Sequence, residues 1–268
     1  MVRRGVRRLA ALLLCVGAAV LFATPVPGSA SRRPLRVLQM NLCDSGWAGC
    51  YTGRAVPAAA GAVRAQRPDV VTLNEICQDD VDAIGAVLAG LYPGETVVRA
   101  FQAAGDRRTG AAFQCRNGRS FGIGLLARLP APLRDYTVHG GLYPDDDQDR
   151  HDPEERAWLC VHAPGGFQAC TTHLANTSRA VALAQCGYLL GVAVPAVRAA
   201  GGYVPTVVAG DLNLPQAAAS CVPGYRRADD GAVQHVLASE EFTVAAGTAI
   251  DMALSTDHPA LLVTLATG

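Results

Sequence analysis

Residues 68–75, Pro-Asp-Val-Val-Thr-Leu-Asn-Glu, hold an apolar, β-branched run of strand length that runs out into two polar residues, Asn74 and Glu75. Pro68 and Asp69 punctuate the start, so the strand begins at Val70. Runs of the same kind recur at Leu35–Met40, Thr96–Phe101, Phe121–Leu126, Val204–Val208, Val233–Leu237 and Leu261–Leu265. Helical stretches interleave with them: Ala58–Gln66, then Asp79–Leu91 with acidic residues in its first turn. The longest spans Ser178–Ala200, with Ser178 placed to cap it, Gly201-Gly202 to end it, and Pro195 to kink or split it. This interleaving favours mixed sheets over an all-β sandwich. A chain of 268 residues, 50% of them hydrophobic, is long enough for one α/β domain with a sizeable core.

The N-terminal thirty residues have the three parts of a secretory signal: a basic start, an apolar run from Leu9 to Phe22, and small residues Gly28-Ser29-Ala30 suited to cleavage. The run is short and followed by Pro25 and Pro27, which argues against a spanning helix. The expected organisation is therefore a leader over 1–30 and one catalytic domain over 31–268, secreted after cleavage near Ala30. Of 23 basic residues, Arg3, Arg4, Arg7 and Arg8 lie in the leader; the remaining 19 face 23 acidic residues, a mature net charge of −4. No global basic field would hold a polyanion, so any grip on nucleic acid must be local. Arg107, Arg108, Arg116 and Arg119 are the candidates for such a groove.

Nine cysteines less Cys15 leave eight, an even number that in an exported chain reads as four disulfides. Ala157–His162 and Phe167–His173 read as a hairpin about the turn Ala163-Pro164-Gly165-Gly166; centring it on Gly165 sets Cys160 opposite Cys170. Cys43 and Cys50 are spaced to close a short loop, which would leave Cys77 with Cys115 and Cys186 with Cys221. Zinc is the competing reading, but no Cys-x-x-Cys occurs. The acidic stretch Tyr143–Glu155 lacks the glycine and glutamate of a calcium loop, with Arg150 and Arg156 in their places, and reads as a solvated loop.

Polar residues like Asn74 and Glu75 also end other strands: Met40-Asn41, Thr172-His173, Gly210-Asp211-Leu212-Asn213 and, near the C-terminus, Thr256-Asp257-His258-Pro259. Each has an ordinary explanation alone, as a turn residue, a cap or a partner of a carbonyl. Together they supply what phosphoester hydrolysis needs and a binding fold does not. In this order they resemble the signature set of the endonuclease/exonuclease/phosphatase superfamily, the metal-dependent phosphoesterases similar to pancreatic deoxyribonuclease, over Leu35–Leu265.

The resemblance implies a four-layer α/β sandwich, two mixed β-sheets packed face to face with helices outside and the site at one edge. It implies Glu75 as principal metal ligand, Asn41 as its companion and Asp257 as a further ligand. Mg2+ is the expected ion, with Mn2+ or Ca2+ able to use the same oxygen donors. His258 becomes the general base, since an imidazole titrates near neutrality. Asp211 and Asn213 orient the water, with Asp211 the alternative base, and His173 donates to a non-bridging oxygen or assists the leaving group. The expected substrate is a phosphodiester, foremost nucleic acid, acted on by a monomer with no obligate protein partner.

Two departures stand out. Gln234 occupies the place where many relatives carry an aspartate that orients the base; glutamine can hold an imidazole by hydrogen bond but cannot stabilise its cation by charge. His173 lacks an obvious carboxylate partner, expected from the region 100–119, and Arg156 reads as mainly structural. Asn176-Thr177-Ser178, formally a glycosylation sequon, reads as a strand end and helix cap. The alternatives of other classes are a sphingomyelinase-like phospholipase C, a small-molecule phosphatase, and a non-catalytic binding protein on a decayed scaffold. The first should show an exposed aromatic hairpin, and none is evident with 6% aromatic residues.

Overall fold

The computed structural model describes residues 33–215, 221 and 223–267, so the leader lies outside the described residues. The first sheet contains β1 (Leu35–Asn41), β2 (Val70–Cys77), β3 (Thr96–Ala103), β6 (Phe121–Leu129), β14 (Phe242–Ile250) and β15 (Ala260–Thr267), in the order β14-β15-β1-β2-β6-β3. The second contains β7 (Thr137–Leu142), β9 (Ala157–His162), β10 (Gln168–His173), β11 (Thr206–Asp211), β12 (Arg226–Asp229) and β13 (Gln234–Ala238), in the order β12-β13-β11-β10-β9-β7. A small third sheet joins β4 (Gly105–Asp106), β5 (Ala111–Ala112) and β8 (Glu154–Glu155).

Three apolar clusters make the layers. Val37, Val70 and Leu125 of the first sheet meet Leu159, Val161 and Val207 of the second, closing the core between them. The outer face of the first sheet, Leu38, Met40 and Leu73, packs on Ala59 and Val63 of helix α1 (Ala55–Gln66) and on Ile84 and Leu88 of α2 (Gln78–Leu91). The outer face of the second is covered by Ala182 and Cys186 of α3 (Arg179–Tyr188) and Val197 of α4 (Val194–Gly201). Helix, sheet, sheet, helix is the four-layer sandwich that the motif order implied. Ser178 caps α3 through Val181 N–H, and a π-turn at Leu189–Ala193 separates α3 from α4. Pro195 sits in the first turn of α4, where a missing N–H is tolerated.

Four disulfides join Cys43 to Cys50, Cys77 to Cys115, Cys160 to Cys170 and Cys186 to Cys221. Cys160 stands opposite Cys170 in the β9–β10 register, as the hairpin geometry requires. The acidic stretch departs from expectation. Asp145 and Asp146 are exposed, but Gln148 and Asp149 are buried, and the segment folds back on Arg156.

Candidate functional site

Parallel pairing sets the end of β1 beside the polar pair of β2, Asn41 against Asn74, and the exits of β10 and β11 side by side, His173 against Asp211. β15 runs antiparallel to β1, and β13 to β11, so these neighbours contribute their entries instead. That is why Asp257 and His258 precede a strand rather than follow one, and why Gln234, the first residue of β13, pairs with Asp211. Thr256 Oγ1 donates to the Asn41 carbonyl at 3.0 Å and ties the last loop to the site.

Glu75 reaches the site through a break in its own strand. The β2–β6 register shifts between Leu73 and Ile76, and Glu75 has φ +53°, a left-handed conformation that a non-glycine residue adopts only under local constraint. The bulge points the carboxylate into the cleft, where Oε1 accepts from Asn41 Nδ2 at 2.8 Å. The same nitrogen donates to Asp211 Oδ2 at 3.1 Å, so one amide bridges two carboxylates. Gly210 lets β11 approach β10 closely; a Cβ there would lie 2.1 Å from the Thr172 carbonyl oxygen. Asn213, at φ +48°, donates its backbone N–H to Asp211 Oδ1 at 3.0 Å and its side-chain amide to the Leu174 carbonyl at 2.9 Å.

The histidines stand at the two ends of this group. His173 Nε2 lies 3.9 Å from Glu75 Oε1, and His258 Nε2 lies 3.7 Å from Asp211 Oδ2 and 3.8 Å from Asp257 Oδ1. All seven residues expected to carry the chemistry, Asn41, Glu75, His173, Asp211, Asn213, Asp257 and His258, therefore belong to one connected set. Burial raises the Glu75 carboxyl above its ordinary value, with Asp211 and Asp257 adding to the shift against the Asn41 hydrogen bond. Burial also raises Asp211. A cluster of oxygen donors whose ionised form is disfavoured until positive charge arrives fits a hard divalent cation, which Glu75 and the amide oxygen of Asn41 could hold.

The partner of His173 is not a carboxylate. Arg156 Nη1 donates to His173 Nδ1 at 2.8 Å, and Arg156 is itself buried, paired with Asp152 at 2.9 Å and Glu154 at 3.4 Å. A guanidinium has no lone pair to accept with, so Nδ1 must be the acceptor and the ring proton resides on Nε2, the atom that faces Glu75. Burial, Arg156 and His258 hold the His173 pKa well below the usual imidazole range. His173 is thus a neutral donor with its direction fixed.

Gln234 does a different job from the one expected of it. Its amide donates to the Pro259 carbonyl and to Asp230 Oδ2 and accepts from Gln39 Nε2, holding the backbone next to His258 rather than the imidazole. Asn74 belongs to the framework beneath the site. Fully buried, it accepts from Asp211 N–H and Gln39 Nε2, both at 2.7 Å, and donates to the Thr172 carbonyl at 3.0 Å, so it stitches the two sheets together beneath the site. Its signal was present as a polar pair, Asn-Glu, inside a strand that continues to Cys77.

Of the four arginines considered for a groove, Arg107 pairs with Glu155, Arg108 with Asp106 and Arg119 with Asp79. Arg116 instead lies 5.7 Å over the ring of Trp47, which is 65% exposed.

A family model described as "Endonuclease/Exonuclease/phosphatase family" matches residues 54–258. A search of curated proteins returns no match. Among solved structures, an endonuclease/exonuclease/phosphatase from Beutenbergia cavernae is 23% identical, with TM-score 0.65, over 88% of this chain and 72% of that one. The human Nocturnin catalytic domain with bound sulfate is 16% identical, with TM-score 0.65, over 89% and 95%. A mannosyl-6-phosphatase from Bacteroides thetaiotaomicron is 14% identical, with TM-score 0.58, over 86% and 99%.

Proposed function

Because the chain belongs to the endonuclease/exonuclease/phosphatase family, whose members are hydrolases of phosphoesters, we propose that it is a secreted, divalent-metal-dependent phosphodiesterase that cleaves nucleic acid. The observation that carries this reading is the unbroken sequence of contacts from His173 through Glu75, Asn41 and Asp211 to His258. A divalent cation, Mg2+ by expectation, would supply positive charge against the phosphate, so that an anionic ester could be attacked. Glu75 and Asn41 would hold it, with Asp257, 3.8 Å from His258, as a further candidate ligand. His258 takes the proton of the attacking water, Asp211 and Asn213 orient that water, and His173 donates its Nε2 proton in a hydrogen bond to a phosphate oxygen. Four disulfides and the leader-like N-terminus support export.

Hydrolysis of bis-p-nitrophenyl phosphate, p-nitrophenyl phosphate, plasmid, RNA and sphingomyelin, with and without EDTA, tests the reading. EDTA-sensitive cleavage of the diester and of a nucleic acid is expected. Equal activity after chelation, or none on any diester with metal supplied, sinks it. Within this scheme Arg156 is a positioning residue. Arg156→Lys is expected to lower kcat on the diester by roughly 10- to 100-fold, the range for one misdirected donor, with KM little changed. A kcat equal to wild type would remove Arg156 from the mechanism.

A further inference from the structure

Trp47 is 65% exposed yet held in place. Its Nε1–H donates to the Gln114 carbonyl at 3.2 Å, and the Arg116 guanidinium lies 5.7 Å from its ring centre. Arg116 is exposed and pairs with no carboxylate among the described residues. Single exposed apolar residues are ordinary. An indole fixed at its edge and accompanied by an unpaired cation is preorganised to receive something with a π-face and a negative charge.

The loop that carries Trp47 begins and ends at the site. Cys43 and Cys50 close it by a disulfide, and their sulfurs lie within 4.8 Å of one another and of a Glu75 carboxylate oxygen. The Asp44 N–H also donates to the Glu75 carbonyl at 2.8 Å. Three Cα steps of about 3.8 Å separate Trp47 from Cys50, so the Trp47 backbone stands within about 11 Å of the Cys50 backbone at the loop's closure.

We infer that Trp47 and Arg116 form a platform for one nucleotide of a single-stranded nucleic acid flanking the scissile phosphate, the base stacking on the indole and its phosphate meeting Arg116. The inference rests on the phosphodiesterase reading and names its substrate. In a duplex each base already stacks on its neighbours, whereas an unpaired strand offers free π-faces. A lipid surface fits less well, because Asp44, Asp80, Arg116 and Asn117 line the hollow beside the loop with polar groups rather than a continuous apolar face.

Two measurements on the full-length oxidised protein separate this platform from the chemistry. Fluorescence anisotropy with a labelled single-stranded oligonucleotide in EDTA reads binding without turnover, and hydrolysis of bis-p-nitrophenyl phosphate reads turnover without a base. Trp47→Ala is expected to weaken oligonucleotide binding roughly 5- to 150-fold, the range for one stacked base. Trp47→Phe should restore most of it, and both variants should hydrolyse the small diester as wild type does. Arg116→Gln should reduce the slope of log affinity against log salt by about 0.7, one phosphate contact on a single strand. Unchanged binding by Trp47→Ala overturns the platform, as does equal loss with Phe and Ala, or loss of binding to anionic vesicles alone. Failure of wild type to hydrolyse the small diester while the oligonucleotide still binds through Trp47 would overturn the enzymatic reading and leave the platform standing.

Discussion

Glu75→Gln is expected to lower kcat on a phosphodiester by about a thousandfold, or ~4 kcal/mol, while leaving the protein as stable as before or more so. The two halves of this result share one cause. Glutamine keeps the oxygen that accepts from Asn41 Nδ2, so the local hydrogen bond survives. It removes the charge that burial, Asp211 and Asp257 make hard to sustain. A carboxyl whose folded pKa lies above its unfolded one incurs no penalty while both states are protonated. The penalty grows as pH rises through the unfolded value and is complete once pH passes the folded one. The gain in Tm for Glu75→Gln in EDTA should therefore be absent near pH 4 and present at neutral pH, a trade of stability for function. Calorimetric titration with Mg2+ should show weakened or lost binding in the variant. A variant that melts lower than wild type in EDTA would mark Glu75 as a structural anchor, and one that keeps wild-type kcat would remove it from the site.

The layers of the fold were readable because burial writes itself into composition. Val70–Leu73 and Phe121–Leu126 are runs whose residues are all buried, and the strands found there, β2 and β6, extend past them where polar residues interrupt the apolar pattern, at Asn74-Glu75 and at Arg128. β14 left no such trace. Phe242 is buried, but seven residues in a row, Thr243–Ala249, are exposed, so no alternation marks the edge strand. β7 and β12, at opposite edges of the second sheet, are hidden for the same reason.

At the site the identities of the groups were legible and their connections were not. Asn41, His173, Asp211 and His258 stand where strands end or begin and Glu75 at a break within β2, and a polar residue closing an apolar run leaves a signature in sequence. Arg156 reads as structural in sequence because the seven carboxylates of Tyr143–Glu155 offer it obvious partners. It does bind two acidic neighbours, Asp152 and Glu154, and only the three-dimensional pairing of β9 with β10 brings its remaining donor to His173. Gln234 shows the converse. Position in the motif suggested an imbalance at the base, yet its hydrogen bonds run to Pro259, Asp230 and Gln39 and belong to the framework.

Asn74 is where framework and chemistry meet, and its removal should damage both. In Asn74→Ala the Asp211 N–H and the Thr172 carbonyl lose their side-chain partner in a fully buried place, while Gln39 Nε2 keeps only Gln234 at 3.3 Å. Each unsatisfied buried group is worth ~1–3 kcal/mol, so a loss of about 2–4 kcal/mol is expected, seen as a fall in the urea midpoint with little change in slope. Activity should drop at least about tenfold beyond the unfolded fraction, because the bond to Asp211 N–H is what fixes the height of that carboxylate relative to Asn41 and His258. Asn74→Asp separates the two effects. It keeps an acceptor for Asp211 N–H and Gln39 but sets a new carboxylate beside Asp211, so its stability should fall further as pH rises from about 5 to 8. If Asn74→Ala instead melts with wild type and turns over at the wild-type rate, the two sheets position the site without this amide, and the site's geometry must come from the strand register alone.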